Sequence, residues 1–387
     1  MKIIQISTFF HPITGGVESH VLNLSRQLEK DGHEVIVLTS NSSKKKNKVS
    51  RKETDYLGIE VRRFRSWFSL SYYHKFFPGI LRYLLSEDYD LIHVHGLRKN
   101  ESYLALLVAK IRRKPIVLTT HNPFPTVSRS TIAELFIKLH DYTFGKMFLR
   151  SFSSIITLVP SEKEKLIRMF GVAAKRIVEV PNAVEDLFFS KGNEANFYKE
   201  WGISADKWDG IVVWVGRASY AKGLQNLKMA VRKLKNVLFF FAGGDDGYLP
   251  YLRQLYQDSP NVVFSERFIT PDKQLDMYAA ADVSVLPSLH EAFGIVILES
   301  LAQGISVLST NRGGPAEIFA QTDAVKLIDP ENQADWKMSI EAIVKNKVRQ
   351  ETLSKNGKEF AEKYTWDKVT KRIIEVYEKV VTKNKDI

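Results

Sequence analysis

The sequence predicts an α/β protein built from two doubly wound domains that face each other across a cleft. Short apolar strands alternate with helical stretches from the first residue, and this series starts again in the second half of the chain. Strands that are apolar throughout and rich in Ile and Val are typical of parallel sheets covered on both faces. Two such series in one chain indicate two Rossmann-like domains.

The first series begins with the apolar run Lys2–Ser7, which leads into a Gly-Gly loop. Val17–Lys30 follows with apolar residues at helical spacing, so we expect a helix there. The other strands of this half are predicted at Glu34–Thr39, Asp90–His95, Pro115–Thr120, Ser154–Val159 and Arg176–Val180. Helical stretches lie between most of these strands, as a doubly wound sheet requires.

The second series begins at Ile211–Val215, after a turn signal at Pro181–Asn182. Its other strands are predicted at Val237–Ala242, Asp282–Leu286, Ser306–Leu308 and Val325–Ile328. We therefore expect one domain over residues 1–185 and a second over residues 186–363. Thr365–Lys383 has the apolar stripe of one amphipathic helix.

The composition excludes several kinds of site. The 387 residues include no cysteine, which excludes disulfides, thiolate metal sites, iron–sulfur clusters and cysteine nucleophiles. No apolar run reaches the roughly 18–20 residues of a membrane span, and the short amino-terminal run lacks the plan of a signal peptide. We expect a soluble, cytoplasmic protein.

The net charge of +12 belongs entirely to the first half of the chain. Residues 1–185 contain 29 Lys and Arg against 17 Asp and Glu, whereas residues 186–387 contain 27 of each kind. This asymmetry is typical of a half that faces an anionic partner, whether a membrane, a nucleic acid or a phosphorylated acceptor. Charge kept for solubility is the alternative.

The most informative motif is His290–Glu299, HEAFGIVILE, which follows a predicted strand and turn. We expect Glu291 to end the loop and residues 293–295 to open a helix, where backbone N–H groups can hold phosphate or sugar oxygens. Glu299 lies a little over two helical turns after Glu291, on a related face. Two carboxylates so placed can grip hydroxyls on two parts of one ligand. An acidic first turn with a surface Glu is the alternative.

A second motif, Val215–Gly223 (VGRASYAKG), lies on the loop after the first strand of the second half. Arg217 and Lys222 project two cations from the carboxyl end of a strand, where open α/β sheets bind ligands. A diphosphate leaving group needs such partners, because Arg can chelate it and Lys supplies a point charge. A solvated loop with two charges is the alternative.

Two features of the first half point to the same cleft. In Phe9–His20 (FFHPITGGVESH), Gly15 and Gly16 precede a helix, so the backbone can approach a phosphate there. A generic tight turn is the alternative. His121 follows the strand Pro115–Thr120 and is predicted to point into the cleft. A single histidine is more often structural than catalytic, but four cleft-facing features converge in this sequence.

Together these motifs resemble those of the retaining glycosyltransferases of the GT-B fold, family 4, which include sucrose synthases and bacterial phosphatidylinositol mannosyltransferases. The resemblance covers almost the whole chain. Besides the Gly-Gly loop and the two glutamates, it is carried by TTH at 119–121, VPNAV at 180–184, VGRASYAKG at 215–223, AGG at 242–244 and TWDKV at 365–369. In this family the terminal helix crosses back to the first domain, which implies that residues 364–387 belong with residues 1–185.

The resemblance implies donor-binding roles for the matching positions. The residues implied to neutralise or approach the nucleotide diphosphate are Arg217, Lys222, Gly15 and Gly16. Those implied to hold the donor sugar are Glu291, the backbone N–H groups of Phe293, Gly294 and Ile295, and His121 near the reacting centre. Glu299 would bind the ribose. The base would be bordered by Gly243, Gly244, Arg267 and Phe268. Glu266 departs from the pattern, because many relatives have Gly at this position.

The implied reaction moves a hexose-type sugar from a nucleoside-diphosphate sugar to a lipid-linked, glycolipid or polysaccharide acceptor, with retention of configuration. Two cations and a helix N-terminus stabilise the departing diphosphate without a metal. We therefore expect no cofactor and no metal site. Asp88-Tyr89-Asp90 has the Asp-x-Asp spacing of a metal motif, but it leads into a buried strand, so we interpret it as a coincidence.

The acceptor side is indicated by residues 61–86, which combine five Lys and Arg with eight aromatic residues and no Asp or Glu. Basic residues mixed with aromatic ones suit an anionic membrane surface, where each cation contributes about 1 kcal/mol. Residues 144–152 (FGKMFLRSF) repeat this character. We predict peripheral contact with the cytoplasmic face of a membrane. Aromatic residues buried in the core, with solvated cations, are the alternative.

Two other functions stay open at the level of the sequence. A sugar-nucleotide epimerase or a phosphorylase of the same fold would act without an acceptor or with phosphate. A nucleic-acid-binding protein is the alternative of another class, since basic and aromatic residues also suit single strands. No recognition motif accompanies these residues, so we expect no nucleic-acid partner.

Overall fold

The computed structural model describes residues 1–42, 55–71, 74–121, 124 and 131–385. The chain forms two compact units. Unit 1 comprises Met1–Asn182 and Trp366–Ile387, and unit 2 comprises Ala183–Thr365. The predicted limits, residues 185 and 363, lie within a few residues of these.

Strands and helices alternate along most of the described chain. The strands are β1 Lys2–Ser7, β2 Glu34–Ser40, β3 Asp55–Tyr56, β4 Ile59–Phe64, β5 Phe68–Ser71, β6 His74–Phe76, β7 Leu91–His95, β8 Ile116–Thr119, β9 Ser154–Thr157, β10 Ile177–Glu179, β11 Gly210–Val215, β12 Val237–Ala242, β13 Val262–Phe264, β14 Val283–Leu286, β15 Ser306–Thr310 and β16 Val325–Ile328. The helices are α1 Gly16–Lys30, α2 Gly79–Ser86, α3 Asn100–Ile111, α4 Thr131–His140, α5 Lys146–Leu149, α6 Pro160–Phe170, α7 Glu194–Trp201, α8 Lys228–Lys233, α9 Leu249–Leu255, α10 Pro271–Ala279, α11 Ile295–Ala302, α12 Gly314–Ile318, α13 Gln333–Lys345, α14 Lys347–Ala361 and α15 Trp366–Lys385. A π-helical turn, Asp141–Gly145, joins α4 to α5.

Unit 1 is built on a sheet with the strand order β10-β9-β8-β7-β1-β2-β4-β3. Its strands run parallel except β3, which pairs antiparallel with β4. The strand order reverses between β1 and β7, which makes the carboxyl ends of these strands a topological switch point, the usual ligand site of open α/β sheets. The last helix, α15, packs on α1 of this unit, which confirms the predicted return of the terminal helix.

Unit 2 is built on a fully parallel sheet with the order β13-β12-β11-β14-β15-β16. Its strand order reverses between β11 and β14, which gives a second switch point. The core includes Trp214 and Phe239 from the sheet and Trp336 from α13, all of them buried. Two parallel α/β units with flanking helices confirm the predicted fold class.

The basic and aromatic segment 61–86 differs in part from the prediction. Its first residues belong to β4, an unpredicted strand whose alternating pattern leaves Val61 buried and Arg62 exposed. Phe77 is fully buried, so part of the aromatic content belongs to the core. Among the described aromatic residues of this segment, Trp67 and Phe68 are the ones that are more than half exposed, at 70% and 51%. Tyr72 and Tyr73 lie outside the described residues.

One predicted strand also ends early. Ser154–Val159 was expected, but β9 stops at Thr157 because Pro160 begins α6, a first-turn position that proline favours. No helix within the described part of the chain is both long and apolar enough to cross a membrane.

Candidate active site

The loops after β11 and β14 lie side by side, because these strands are neighbours in the sheet of unit 2. The backbone N–H of Leu289 donates to the carbonyl oxygen of Ala221 at 2.8 Å and ties the two loops together. Across this junction Lys222 Nζ lies 2.6 Å from Glu291 Oε2. The structure therefore brings together two predicted site residues from different motifs.

The Glu291 carboxylate is held by several donors. Besides Lys222, it accepts hydrogen bonds from Ser288 Oγ at 3.2 Å and from the backbone N–H of Ala292 at 3.3 Å. Burial pushes the pKa of Glu291 up, but the Lys222 ammonium and these hydrogen bonds outweigh it and hold the pKa below its ordinary value. Glu291 is therefore a charged carboxylate at neutral pH.

Close backbone contacts shape the loops around this pair. Gly223 has a φ of 73°, and a Cβ there would collide with the carbonyl oxygen of Pro287. Gly313 has a φ of 75°, and Gly314 N–H donates to the carbonyl oxygen of Glu291 at 3.0 Å. Gly313 and Gly314 were not predicted from the sequence. The available signal was a Gly-Gly pair at the start of a helix, as at Gly15 and Gly16.

Helix α11 begins next to Glu291. Gly294 precedes its first residue, Ile295, with a φ of 88°, a conformation that favours glycine. The side chain of Phe293 is buried and packs against Phe319, with ring centroids 5.7 Å apart. The Phe293 side chain thus serves packing, whereas the backbone N–H groups of residues 293–295 lie at the positive end of the helix.

Glu299 lies farther along α11, where the Tyr278 hydroxyl donates to its Oε2 at 3.3 Å. Burial raises the pKa of Glu299 to about 8, and the neighbouring Glu185 contributes to this rise. The carboxyl group is therefore mostly protonated at neutral pH. In that form it can both donate to a hydroxyl group and accept from one.

Arg217 follows β11, and its Nη1 lies 3.3 Å from Asp246 Oδ2 in a half-exposed ion pair. Gly243 has a φ of 147°, and a Cβ there would collide with the carbonyl oxygen of Gly216. Gly243 is therefore required by the close approach of two strand ends. At Gly244 a Cβ would meet no described atom within 4 Å. Asp246 was not predicted as a partner of Arg217.

Arg267, one of the residues predicted to border the base, lies beside α7. Arg267 Nη2 is 3.2 Å from Glu200 Oε1, and its guanidinium lies 5.4 Å from the centre of the Trp201 ring. Phe268 is 56% exposed. Glu266 has a φ of 57°, the left-handed region that glycine adopts most easily. The departure from Gly at this position therefore carries a backbone cost, since Glu disfavours that region.

In unit 1, His121 follows β8 with a φ of 52°. Its Nε2 lies 3.1 Å from Nδ1 of His95, the last residue of β7. The ring of His20, from α1, is 4.8 Å from the ring of His121 between centroids. His121 was predicted from the sequence, whereas His20 and His95 were missed. The sequence did contain signals for both: His95 is the last residue of the strand end His-Val-His, and His20 is the last residue of FFHPITGGVESH.

These histidines are neutral at pH 7. Burial lowers the pKa of His20 to about 4 and that of His93, His95 and His121 well below the ordinary value. Hydrogen bonds fix their rings, as when His93 contacts the Tyr377 hydroxyl at 2.6 Å through one nitrogen. The histidine side chains at this switch point are thus polar but uncharged.

The Gly-Gly pair lies at the start of α1, since Gly15 caps this helix and Gly16 is its first residue. Gly15 is extended, with a φ of 171°, and a Cβ at Gly16 would meet no described atom within 4 Å. Packing among the described residues therefore does not require glycine at position 16. Nearby, Thr8 hydrogen-bonds the buried Glu101, whose pKa burial raises, and burial lowers the pKa of Lys99. Lys99 and Glu101 were not predicted.

The Asp-x-Asp pair lies elsewhere. Asp88 and Asp90 precede β7, at the amino ends of the strands, whereas the histidines lie at the carboxyl ends. Asp88 pairs with Lys114 at 3.2 Å, and Asp90 accepts the backbone N–H of Lys2 at 2.8 Å. These carboxylates therefore do not share a site with the histidines.

Comparison with known proteins assigns the family. Residues 14–186 match the model of Glycosyltransferase Family 4, and residues 199–360 match that of Glycosyl transferases group 1. An uncharacterised glycosyltransferase of Methanocaldococcus jannaschii is 26% identical over 97% of this chain and 98% of its own. The phosphatidylinositol N-acetylglucosaminyltransferase gpi3 subunit of Schizosaccharomyces pombe is 27% identical over 98% of this chain and 81% of its own. The sulfoquinovosyl transferase SQD2 of Arabidopsis thaliana is 26% identical over 95% of this chain and 72% of its own.

Solved structures share the fold. Sucrose-phosphate synthase from Thermosynechococcus elongatus superposes with a TM-score of 0.79 at 20% identity and covers 98% of this chain and 99% of its own. Anabaena HepE, in complex with UDP and glucose, superposes with a TM-score of 0.78 at 18% identity and covers 98% of this chain and 100% of its own. The two matched domain models and the two parallel α/β units agree. The chain belongs to the GT-B glycosyltransferases of family 4.

Proposed function

We propose that this glycosyltransferase moves a hexose-type sugar from a nucleoside-diphosphate sugar to a lipid-linked, glycolipid or polysaccharide acceptor, with retention of configuration and without a metal. The observation that carries the proposal is the 2.6 Å pair of Lys222 and Glu291 beside the N-terminus of α11. A sugar nucleotide offers an anionic diphosphate next to neutral sugar hydroxyls. The pair offers a cation next to a carboxylate.

The cations account for leaving-group stabilisation. Cleavage of the anomeric bond places negative charge on the departing diphosphate, and preorganised cations and N–H groups lower the barrier. Lys222 and Arg217 follow the same strand, and α11 supplies a positive helix end nearby. This arrangement supports metal-independent transfer, because these groups carry the charge that a divalent cation would otherwise neutralise.

The environment of Glu291 supports retention without a covalent intermediate. Its two carboxylate oxygens already accept from Lys222, Ser288 and the backbone of Ala292. Three donors make this carboxylate a poor nucleophile, and of its roughly four acceptor positions one is left for a sugar hydroxyl. We therefore assign Glu291 to holding the sugar, with attack by the acceptor on the face that the diphosphate leaves.

Two observations support a lipid-linked or glycolipid acceptor. The S. pombe relative is named for transfer to phosphatidylinositol. Unit 1 also exposes apolar side chains on the segment from α4 to α5: Leu135, Leu139, Tyr142, Phe144 and Met147. Lys146 lies on the same segment, 4.8 Å from the centre of the Tyr142 ring. Exposed apolar residues with cations suit peripheral contact with an anionic membrane, which we propose for unit 1.

The proposal is tested in two steps. A panel of sugar nucleotides is first screened by thermal shift, since a ligand that binds the folded chain raises its melting temperature. The donor found is then incubated with lipid acceptors in EDTA, and the anomeric configuration of the product is read by NMR. We expect an acceptor-dependent product with the donor's configuration. Conversion of the donor without an acceptor, or only with phosphate, would instead indicate an epimerase or a phosphorylase.

A further inference from the structure

Three histidine side chains of unit 1 converge at its switch point. His20, His95 and His121 each offer a ring nitrogen, and these nitrogens all lie within 4.8 Å of one another. The three residues come from α1, the end of β7 and the loop after β8. Of the three, the proposed transfer reaction uses only His121.

Hydrogen bonds set the tautomers of the two buried rings. Nδ1 of His20 donates to Asn182 Oδ1 at 2.6 Å, and Nε2 of His95 donates to Gln5 Oε1 at 2.7 Å. A neutral imidazole carries a single N–H, so the other nitrogen of each ring holds a lone pair. Both outward nitrogens are donors, and therefore both inward nitrogens, His20 Nε2 and His95 Nδ1, are acceptors.

One of these lone pairs has no partner. His20 Nε2 is buried and makes no hydrogen bond within the described structure. A buried acceptor left without a partner destabilises the folded chain, so the site favours a ligand that this nitrogen can bind.

His121 completes the group. Its left-handed backbone places Nε2 at 3.1 Å from His95 Nδ1, where one nitrogen donates and the other accepts. A shift of the His121 proton to Nδ1 gives His121 Nε2 a lone pair as well, so that each of the three neighbouring nitrogens then holds one. A hydroxyl group satisfies one such lone pair, whereas a cation binds all three.

We propose that His20 Nε2, His95 Nδ1 and His121 Nε2 bind a divalent transition-metal cation, with Zn²⁺ as the matching ion. Three neutral imidazoles with a fourth position open to water are a common zinc ligand set. Amide oxygens that accept the outer N–H groups of the ligands are the expected support for such a set. In such a ligand set each nitrogen lies about 2.0–2.1 Å from the Zn²⁺.

A bound cation has a consequence for transfer. It occupies the nitrogen of His121 that faces the group, so Zn²⁺ inhibits the reaction and EDTA reverses the inhibition. This consequence rests on the proposed function, whereas cation binding itself does not.

Co²⁺ titration tests the site without any sugar nucleotide. The full chain, free of affinity tags and stripped with a chelator, is titrated with Co²⁺ and followed by visible absorption, because four-coordinate Co²⁺ absorbs far more strongly than six-coordinate Co²⁺. We expect one Co²⁺ per chain with strong four-coordinate bands that Zn²⁺ abolishes. The absence of cysteine removes thiolate sites that would compete.

Variants locate the binding. His121→Ala and His20→Asn should each lose the strong bands, while His33→Ala, outside the group, should keep them. Circular dichroism checks the fold, and His121→Ala decides the result if His20→Asn does not fold, because His121 is the most exposed of the three. Weak six-coordinate bands in the wild-type chain, or strong bands that persist in His121→Ala, would overturn the proposal. Zn²⁺ inhibition is then measured separately in the transfer assay, so failure of the transferase assignment leaves the binding result intact.

Discussion

The two units handle charge in opposite ways. Unit 1 holds 35 Lys and Arg against 20 Asp and Glu, yet its switch point is lined by neutral histidines. Unit 2 holds 21 against 24, yet its switch point is built from the ion pairs of Lys222 and Arg217. The net charge of a unit therefore does not predict the charge at its site. The excess of unit 1 suits an anionic surface, whereas the paired charges of unit 2 suit a diphosphate.

Glycines of the candidate site differ in how closely the surrounding structure packs on them. Gly223 and Gly243 of unit 2 are required by close backbone approaches, whereas Gly16 of unit 1 faces open space among the described residues. Unit 2 thus has a site whose loops are fixed by internal packing. Gly16 of unit 1 has no such packing reason, which agrees with a backbone kept bare for a ligand.

The largest effect is expected from Glu291→Gln, which removes the charge of the carboxylate but keeps its shape. Lys222 then loses its partner and the sugar hydroxyls lose a charged acceptor. We expect transfer kcat/KM to fall by roughly 10²–10³-fold, as for loss of one preorganised electrostatic group. The assay is acceptor-dependent product formation, with the exposed Glu194→Gln as the matched control. Equal activity of the two variants would remove Glu291 from the site.

A smaller effect, on stability, is expected from alanine substitutions at a closely packed glycine, Gly223, and at an open one, Gly202. Gly223→Ala places a Cβ against the Pro287 carbonyl at a φ of 73°, whereas Gly202→Ala, at a φ of 61°, meets no described atom within 4 Å. We expect Gly202→Ala to cost about 1–2 kcal/mol for the left-handed backbone alone. Gly223→Ala should cost at least about 1–3 kcal/mol more because of the collision. Urea unfolding measures both, and equal losses would contradict the packing explanation.

The raised pKa of Glu299, in unit 2, predicts that the stability of the folded chain depends on pH. Its pKa rises from 4.5 to about 8 on folding, so the folded chain binds the extra proton between those values. The stability from this proton is full below pH 4.5 and lost as pH rises through about 8. Glu299→Gln lacks this loss, so its melting temperature should gain on the wild type from pH 6 to pH 9. A constant difference across that range would show that Glu299 is charged in the folded chain.

The smallest expected effect concerns the surface of unit 1. Tyr142→Ser removes an exposed aromatic side chain from the proposed membrane contact, whereas Met338→Ser removes an exposed apolar side chain from unit 2. We expect the tyrosine variant to bind anionic liposomes about 5-fold more weakly, the equivalent of roughly 1 kcal/mol. Flotation with anionic and with zwitterionic vesicles measures it. Equal flotation of both variants and the wild type would exclude this segment from the contact.

The fold was predictable where strands are buried on both faces. β11 and β12 stand out because their apolar runs are continuous, and β1 and β7 because Ile, Leu and Val make up most of their buried residues. β4 was missed because its residues alternate, with Arg62 on the exposed side. β13 was missed because three residues at the edge of a sheet are too short for a periodic signal.

The candidate site was predictable only where its residues follow the ends of recognisable strands. Lys222 and Glu291 could be proposed together because each follows a strand end, and ends of neighbouring parallel strands meet. His20 and His95 could not, because their meaning depends on partners far along the chain, Asn182 and Gln5. The individual roles of Arg217, Lys222, Glu291 and His121 in transfer stay predictions.

The most direct test of the Lys222–Glu291 pair as the donor site is calorimetric titration of the donor sugar nucleotide into three proteins. These are the wild type, Lys222→Ala, and Lys233→Ala, whose exposed lysine lies elsewhere on unit 2. If the pair holds the donor, Lys222→Ala should bind at least about tenfold more weakly, since a charge-assisted contact contributes about 1.5–3 kcal/mol. Lys233→Ala should match the wild type. Equal affinity of all three proteins would contradict the central claim that this ion pair holds the donor.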